Sequence, residues 1–314
     1  MDSKIGIPDG NKDGESSAAR KNGAQKNVWL RASTLSEALS MLYERQEESV
    51  VIVGGATDIL PQIKDGKKHG NVFLDLNGLQ ELKKIKEDER YIFIGSMVTM
   101  SAIINNPLVQ RYAPTLVSAA GSVGSVQIRN RATIGGNICN ASPAADTVPV
   151  LIASAARILL KSHLTSREIL LEEFFVGPGK TLINPSEILT TIIIPKSERR
   201  TGFVKLGKRS AMTCSVVNHA LSAELVDKKL KNVIAVFGSV GPKALRIREL
   251  EESLEGQEPS EELLGRCIPV VEKHVKPIDD VRGSADYRRR MSGVLFSRLF
   301  AHLFLGRPMG GPIL

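Results

Sequence analysis

Two glycine pairs carry the first chemical suggestion in this sequence. Gly54-Gly55 lies within Val53-Gly54-Gly55-Ala56-Thr57-Asp58, and Gly135-Gly136 within Thr133-Ile134-Gly135-Gly136-Asn137. Glycine lacks the Cβ that blocks close approach and reaches φ > 0 without strain, so paired glycines let successive backbone N–H groups converge on an anion. Two such nests could clamp a pyrophosphate. The competing reading is that each pair marks only a tight turn. Around the second pair crowd Asn137, Asn140, Ser142 and Asp146. A carboxylate such as Asp146, held near a sugar, accepts hydroxyl hydrogen bonds; the same residue also suits the N-cap of a helix starting near Val148. Arg129 and Arg131 flank the loop, placed either to balance phosphate charge or to stand solvated.

Other signatures fail. No GxGxxG follows a strand, which argues against a Rossmann dinucleotide site. Gly179-Lys180-Thr181 imitates the end of a Walker A loop, but Phe174 stands where its first glycine belongs. The 5 histidines form neither HxxxH nor HExxH, and GxSxG is absent, so zinc and serine hydrolases have no support.

The elements that must position these residues follow from periodicity. Val28, Leu30 and Ala32 alternate as a strand, and Thr34 with Glu37 reads as a capping box for a helix burying Leu35, Ala38, Leu39 and Leu42. Val50 to Val53 is a buried strand ending at the first glycine pair, and Val72 to Leu76 and Tyr91 to Gly95 are further strands. Thr99 to Asn106 and Pro114 to Ala120 read as short helices. Residues 121–149 are small, polar and glycine-rich, the composition of a long functional loop. Val150 to Ala156 then reads as a helix, with strands at Ile158 to Lys161, Ile169 to Leu171 and Ile188 to Ile194, and a linker at 196–202. Farther on, β-branched runs at Cys214 to Val226 and Leu230 to Val240 meet at Asp227-Lys228-Lys229, and helical patterns follow at Glu261 to Lys273 and Ala285 to Phe304. That is an antiparallel sheet covered by helices, an α+β chain in two domains.

Composition narrows the class. The 314 residues are 42% hydrophobic, enough for sizeable cores. The net charge of +8 is spread among interspersed charges of both signs, and aromatic residues are 4%, too few for base-stacking platforms, so nucleic acid is not an expected partner. The 3 cysteines lie far apart without a CxxC, which predicts a reducing compartment and no structural zinc. Residues 1–26 hold almost nothing apolar and predict a disordered tail without a secretory h-region. Apolar runs elsewhere are too short for a membrane span, and a cytoplasmic protein is expected.

The order of motifs then becomes specific. A strand into GGATDILPQIK, followed by TIGGNICNASPAADTVPVLIASAARILL, GKTLINPSEILTTIIIP and VKLGKRS, resembles the FAD-binding (medium) subunit of the molybdenum hydroxylase and xanthine dehydrogenase family, including the medium subunit of carbon monoxide dehydrogenase. The resemblance runs from Val28 to Leu305, and TIGGN followed by ASPxxD is its most specific part. It implies a two-part FAD-binding domain of the vanillyl-alcohol-oxidase type at 27–195, with subdomains at about 27–80 and 81–195, then a C-terminal α+β domain with an antiparallel sheet at 203–305.

By position, the resemblance implies that Ile52, Val53, Gly54, Gly55, Ala56, Thr57, Asp58 and Ile59 form one pyrophosphate loop and Thr133, Ile134, Gly135, Gly136 and Asn137 the other. Asp146 matches an acid that bonds the ribityl or ribose part, Leu189 an apolar residue against the flavin rings, and Lys205 a lysine near the pyrimidine edge. Val123 falls where some relatives carry an aromatic near the adenine, a departure that removes the stacking face. The implied function is electron transfer: a 2Fe–2S small subunit delivers electrons from a large molybdenum-cofactor subunit to FAD, which passes them to NAD, quinone or oxygen. A free-standing reductase similar to UDP-N-acetylenolpyruvoylglucosamine reductase is the alternative in the same class, but no proton donor or substrate pocket is visible for it. A non-enzymatic flavin-binding subunit is the alternative in another class, against which the intact glycine pairs argue.

Overall fold

The computed structural model describes residues 28–68 and 70–309. The tail expected at 1–26 lies outside them. The chain opens with a three-stranded parallel sheet in the order Val28–Arg31, Val72–Asp75, Val50–Val53. Helix Leu35–Glu44 packs Ala38, Leu39 and Leu42 on it, and Thr34 caps the helix by accepting from the Glu37 amide at 3.2 Å. The Glu37 carboxylate reaches back to the amide of Ser33 at 2.7 Å, one residue before the cap, closing the expected box in a shifted form.

A five-stranded antiparallel sheet follows, in the order Ile85–Glu87, Tyr91–Gly95, Ile188–Pro195, Arg157–Lys161, Ser166–Leu170. Between Gly95 and Arg157 the chain makes only helices. The region read as one long loop contains helices Val126–Arg129 and Ile134–Cys139, each started by a Ser125 or Thr133 hydroxyl accepting from the backbone. Caps of this kind compensate for low bulk, which is why composition alone misses such short helices. The next helix starts three residues before its expected boundary, at Thr147–Ala153, and all of its residues are buried. Three further helices were unforeseen: Ile59–Lys64, Pro107–Tyr112, capped by the Asn106 side chain, and Arg248–Leu254.

The C-terminal sheet runs Arg200–Leu206, Val217–Val226, Lys229–Gly238, Leu245–Arg246, all antiparallel. Its first strand already begins within the expected linker, because Thr201 and Gly202 pair with Ser222 and Leu221. Ala220, Ile234 and Val236 face the Thr147–Ala153 helix, while Leu221, Ala235 and Phe237 face helices Glu261–His274 and Ala285–Phe304. Burial on both faces explains the continuous apolar runs of these strands.

His219 sits inside this second core, fully buried and stacked on Phe237 with ring centroids 4.0 Å apart. Its Nδ1–H donates to the Val236 carbonyl at 3.0 Å, while Nε2 has no partner. Burial pushes its pKa down to about 3. An imidazole held neutral this way stabilises the fold fully above its unfolded pKa of about 6.5, and that contribution drains away as pH falls toward 3, by about 1.4 kcal/mol per unit. Replacing His219 with Phe keeps the stack and removes the proton uptake. Denaturant unfolding of the variant is therefore expected to lose about one proton's worth of pH slope between about pH 6 and pH 4; an unaltered slope would show that other groups drive acid unfolding.

Candidate functional site

Strand Val50–Val53 delivers the first glycine pair to the end of the parallel sheet, where the chain turns into helix Ile59–Lys64. Ala56 adopts φ +64, the left-handed conformation, which turns the loop sharply after Gly55. The amides of Gly54, Gly55, Ala56, Thr57 and Asp58 donate to no acceptor among the described residues. Gly55 is buried, and a buried N–H without a partner is costly. Asn77 holds the loop in place, its Nδ2 donating to the Gly54 carbonyl at 2.9 Å and to Asp75 at 2.7 Å. The arrangement is a cradle of consecutive donors that fits an anionic oxygen cluster such as a pyrophosphate.

The second glycine pair is built differently. Ile134 donates to Val98 O at 3.0 Å, Gly135 to Ser96 O at 2.8 Å, Gly136 to the Thr133 hydroxyl at 3.1 Å and Asn137 to Thr133 O at 3.0 Å. These amides are already spent, so the expectation of two equivalent nests is not what the backbone forms. The first pair serves the approach of its loop to the Arg131 to Thr133 segment, and Gly135 serves the approach of the second segment to Ser96. A Cβ on Gly55 would fall on the carbonyl of Arg131, and one on Gly135 would lie 2.6 Å from the Ser96 Cβ and 2.7 Å from its carbonyl oxygen. Cβ atoms on Gly54 and Gly136 would lie 3.1 and 2.9 Å from the Thr133 hydroxyl. Thr133 is thus the point on which both pairs converge. Gln62 adds a bridge, donating to Asp58 and, at 3.4 Å, to Asn140.

Asp146 is 6% exposed and occupies the N-cap position of Thr147–Ala153, yet its side chain makes no capping bond. Its carboxylate is turned toward other donors. Oδ2 accepts from Lys205 Nζ at 2.6 Å and from the Ser122 hydroxyl at 3.1 Å; Oδ1 accepts from the Ser215 hydroxyl at 2.5 Å and Asn218 Nδ2 at 3.0 Å. Lys205 also donates to the Ser122 carbonyl at 3.0 Å. The lysine read as lying at a flavin edge is therefore one half of a buried ion pair. Ser122, Ser215 and Asn218 escaped sequence reasoning; Ser215 and Asn218 were legible only as polar residues inside an apolar run.

The remaining expected residues take clear places. Val123 is half-buried directly after Ser122, and Arg129 is spent on the carbonyls of Val123 and Gly124, both at 3.1 Å. Leu189 is buried in the central strand of the five-stranded sheet, beside a bulge. Its neighbour Thr190 accepts from the Ser96 amide at 2.9 Å, and Ser96 in turn holds Gly135, so this strand abuts the second glycine segment. Asn137 accepts from the Thr147 hydroxyl at 2.6 Å, Ser142 closes a turn with the Ala144 amide, and Arg131 is exposed. Burial pushes the Cys139 thiol up to about 12, which keeps it protonated and unreactive. No group of three or more His, Cys, Asp or Glu among the described residues could hold a metal.

Comparison with known proteins identifies the family. Residues 21–197 match the FAD binding domain in molybdopterin dehydrogenase, and residues 203–303 the carbon monoxide dehydrogenase flavoprotein C-terminal domain. The chain is 30% identical over 276 residues to the nicotinate dehydrogenase FAD-subunit of Eubacterium barkeri, covering 86% of this chain and 93% of that one. It is 31% identical over 272 residues to the glyceraldehyde dehydrogenase medium chain of Sulfolobus acidocaldarius, covering 87% and 96%. A solved carbon monoxide dehydrogenase from Hydrogenophaga pseudoflava superposes with a TM-score of 0.83 at 26% identity, over 87% of this chain and 95% of that chain.

The loop contacts separate two glycine positions that look alike in sequence. Gly55→Ala drives a methyl into the Arg131 carbonyl and is expected to weaken FAD binding by at least about tenfold, the scale of a lost charge-assisted hydrogen bond. Gly136→Ala, exposed and meeting only a hydroxyl, is expected to do much less. Flavin fluorescence titration compares them, and equal losses would contradict the loop-to-loop contact as the reason for Gly55.

Proposed function

The chain belongs to the FAD-binding medium subunits of the molybdenum hydroxylase family, and from that premise we propose that it is the electron-transfer subunit of an assembly with a 2Fe–2S small subunit and a molybdenum-cofactor large subunit. Electrons would pass from the iron–sulfur subunit through FAD to NAD, quinone or oxygen. The observation that carries the reading is the run of unpaired amides from Gly54 to Asp58, a donor set with no use inside the described chain and well matched to the pyrophosphate of FAD. Relatives whose names mark them as one chain among several support the assembly. A cytoplasmic location belongs to the same reading, supported by the free cysteines Cys139, Cys214 and Cys267. No helix among the described residues is long and apolar enough to cross a membrane.

When bound, FAD supplies the redox chemistry, accepting electrons from one carrier and yielding them to another. The residues of this chain then have three tasks. Gly54 to Asp58 hold the pyrophosphate through backbone N–H groups, with Thr133 to Asn137 forming the wall against which that loop closes. Asp146 and Lys205 set the electrostatics where the two domains meet, the acid toward a sugar or ribityl hydroxyl and the ammonium toward the pyrimidine edge. Leu189 supplies apolar contact to the ring system, and Val123 stands at the adenine position without an aromatic face. No acid–base set is needed for this work. His219, the one histidine among the described residues with a strongly shifted pKa, is locked neutral in the other core.

Two measurements test the reading. Mixing the flavin-loaded chain with its cognate iron–sulfur subunit is expected to produce cluster-to-flavin electron transfer by stopped-flow absorbance; substrate turnover by this chain alone would instead support a free-standing reductase. Lys205→Met removes the cation and leaves Asp146 unneutralised, which disfavours the anionic reduced flavin and lowers its midpoint potential. The double variant Lys205→Met/Asp146→Asn removes both charges and is expected to recover most of that shift. A midpoint unchanged in the single variant, with FAD fully bound, would place the pair away from the flavin.

A further inference from the structure

The hydrogen bonds around Asp146 account for every acceptor position of its carboxylate, and one of those four bonds is unlike the rest. Ser122 has a single hydroxyl proton and two acceptors for it, Asp146 Oδ2 at 3.1 Å and the Ala119 carbonyl at 2.8 Å. It cannot serve both. When the proton points to Ala119, one lone pair of Oδ2 is open.

The other three donors are committed. Lys205 stands 2.6 Å from Oδ2 and is held by the Ser122 carbonyl. On Oδ1, Ser215 and Asn218 come from the C-terminal domain and are both fully buried. The orientation of Asn218 is forced. Its Nδ2 faces three acceptors, Asp146 Oδ1 at 3.0 Å, Ala145 O at 3.3 Å and the Ser215 hydroxyl at 3.3 Å, so a flipped amide would set oxygen against oxygen. The consequence is an Oδ1 left buried with no partner, and Gly238 opposite makes room for it, since a Cβ there would lie 2.9 Å from Asn218 Cγ. An unpaired buried acceptor is unfavourable for packing alone. Its retention points to a duty performed by Nδ2.

We propose that the C-terminal domain completes the cofactor site: Ser215 and Asn218 are positioning residues that saturate Asp146 Oδ1, so that the Oδ2 lone pair shared with Ser122 is the one position that accepts a hydroxyl of FAD. This rests on the reading of Asp146 given above. It makes Asp146 a single-acceptor site selective for a ligand that donates one hydroxyl in one direction, and it makes Ser122 a competitor that yields on binding.

The test uses the full chain, freed of flavin, with FAD and analogues that each lack one ribityl hydroxyl or one ribose hydroxyl, the two possible sources of the proton. The chain is expected to bind the matching analogue about tenfold more weakly than FAD, the scale of a hydrogen bond to a charged group. Ser215→Ala and Asn218→Leu are expected to weaken FAD by about tenfold and to abolish discrimination against that analogue, because a mobile carboxylate no longer presents one lone pair. Ser122→Ala removes the competitor and is expected to tighten FAD by about two- to fivefold, a gain that structural damage does not imitate. Equal weakening of FAD and every analogue by the Ser215 and Asn218 variants, or no tightening by Ser122→Ala, would overturn the proposal while leaving Asp146 at the flavin. Failure of the underlying reading has its own signature: no discrimination among analogues by the unaltered chain, and full FAD affinity in Asp146→Asn.

Discussion

A carboxylate removed from water must find charge and hydrogen-bond partners, since an ion buried alone costs several kcal/mol. Asp146 finds them by recruiting four side chains from three separate stretches of chain: Ser122 after helix Pro114–Gly121, Lys205 from the first strand of the C-terminal sheet, and Ser215 with Asn218 where the second strand begins. That requirement places the C-terminal sheet against the end of helix Thr147–Ala153. The helix is then covered by the Ala220, Ile234 and Val236 face and buried along its whole length. Removing one partner of such a pair typically costs ~3–5 kcal/mol, so this cluster ties the two domains alongside their apolar contact.

Further contacts hold the same junction. Glu172, at the end of the five-stranded sheet, accepts from Arg246 at 2.9 Å and Arg248 at 2.8 Å, and Lys243 donates to the Phe175 carbonyl at 2.9 Å. The Thr115 and Thr201 hydroxyls meet at 2.8 Å. For the proposed electron-transfer role this matters because a cofactor's potential follows the charges near it, and charges set from a second domain could tune it only when that domain does not move.

The glycine segments follow a related logic of proximity. Gly54 and Gly55 let the first loop close on Arg131 and Thr133, Gly135 lets the second segment close on Ser96, and only the first segment retains free donors among the described residues. A close approach and an anion cradle both demand glycine, and they are separated only by asking where each N–H goes. The answer leaves the Gly54 to Asp58 amides unpaired among the described residues and the Gly135 and Gly136 amides paired within the fold.

By itself the sequence determined the long helices and the apolar strands, though not Ile85–Glu87, Arg200–Leu206 or Leu245–Arg246, because periodic apolar residues and caps act within a few residues: Thr34 with Glu37, the Val50 to Val53 run and the Ala285 to Phe304 face are all local signals. It also carried the motif order that identifies the family. The two short helices between Ser125 and Cys139 were hidden in a stretch of small residues, since both depend on hydroxyl caps and the second also on burial of Ile134, Gly135 and Ile138. Nor could local pattern separate the roles of the two glycine pairs, or reveal that Lys205 answers Asp146 and that Ser215 and Asn218 hold it. Those facts join positions dozens of residues apart, and hydrogen-bond partners over such separations are chosen by how the sheets and helices pack, a decision made only in the tertiary structure.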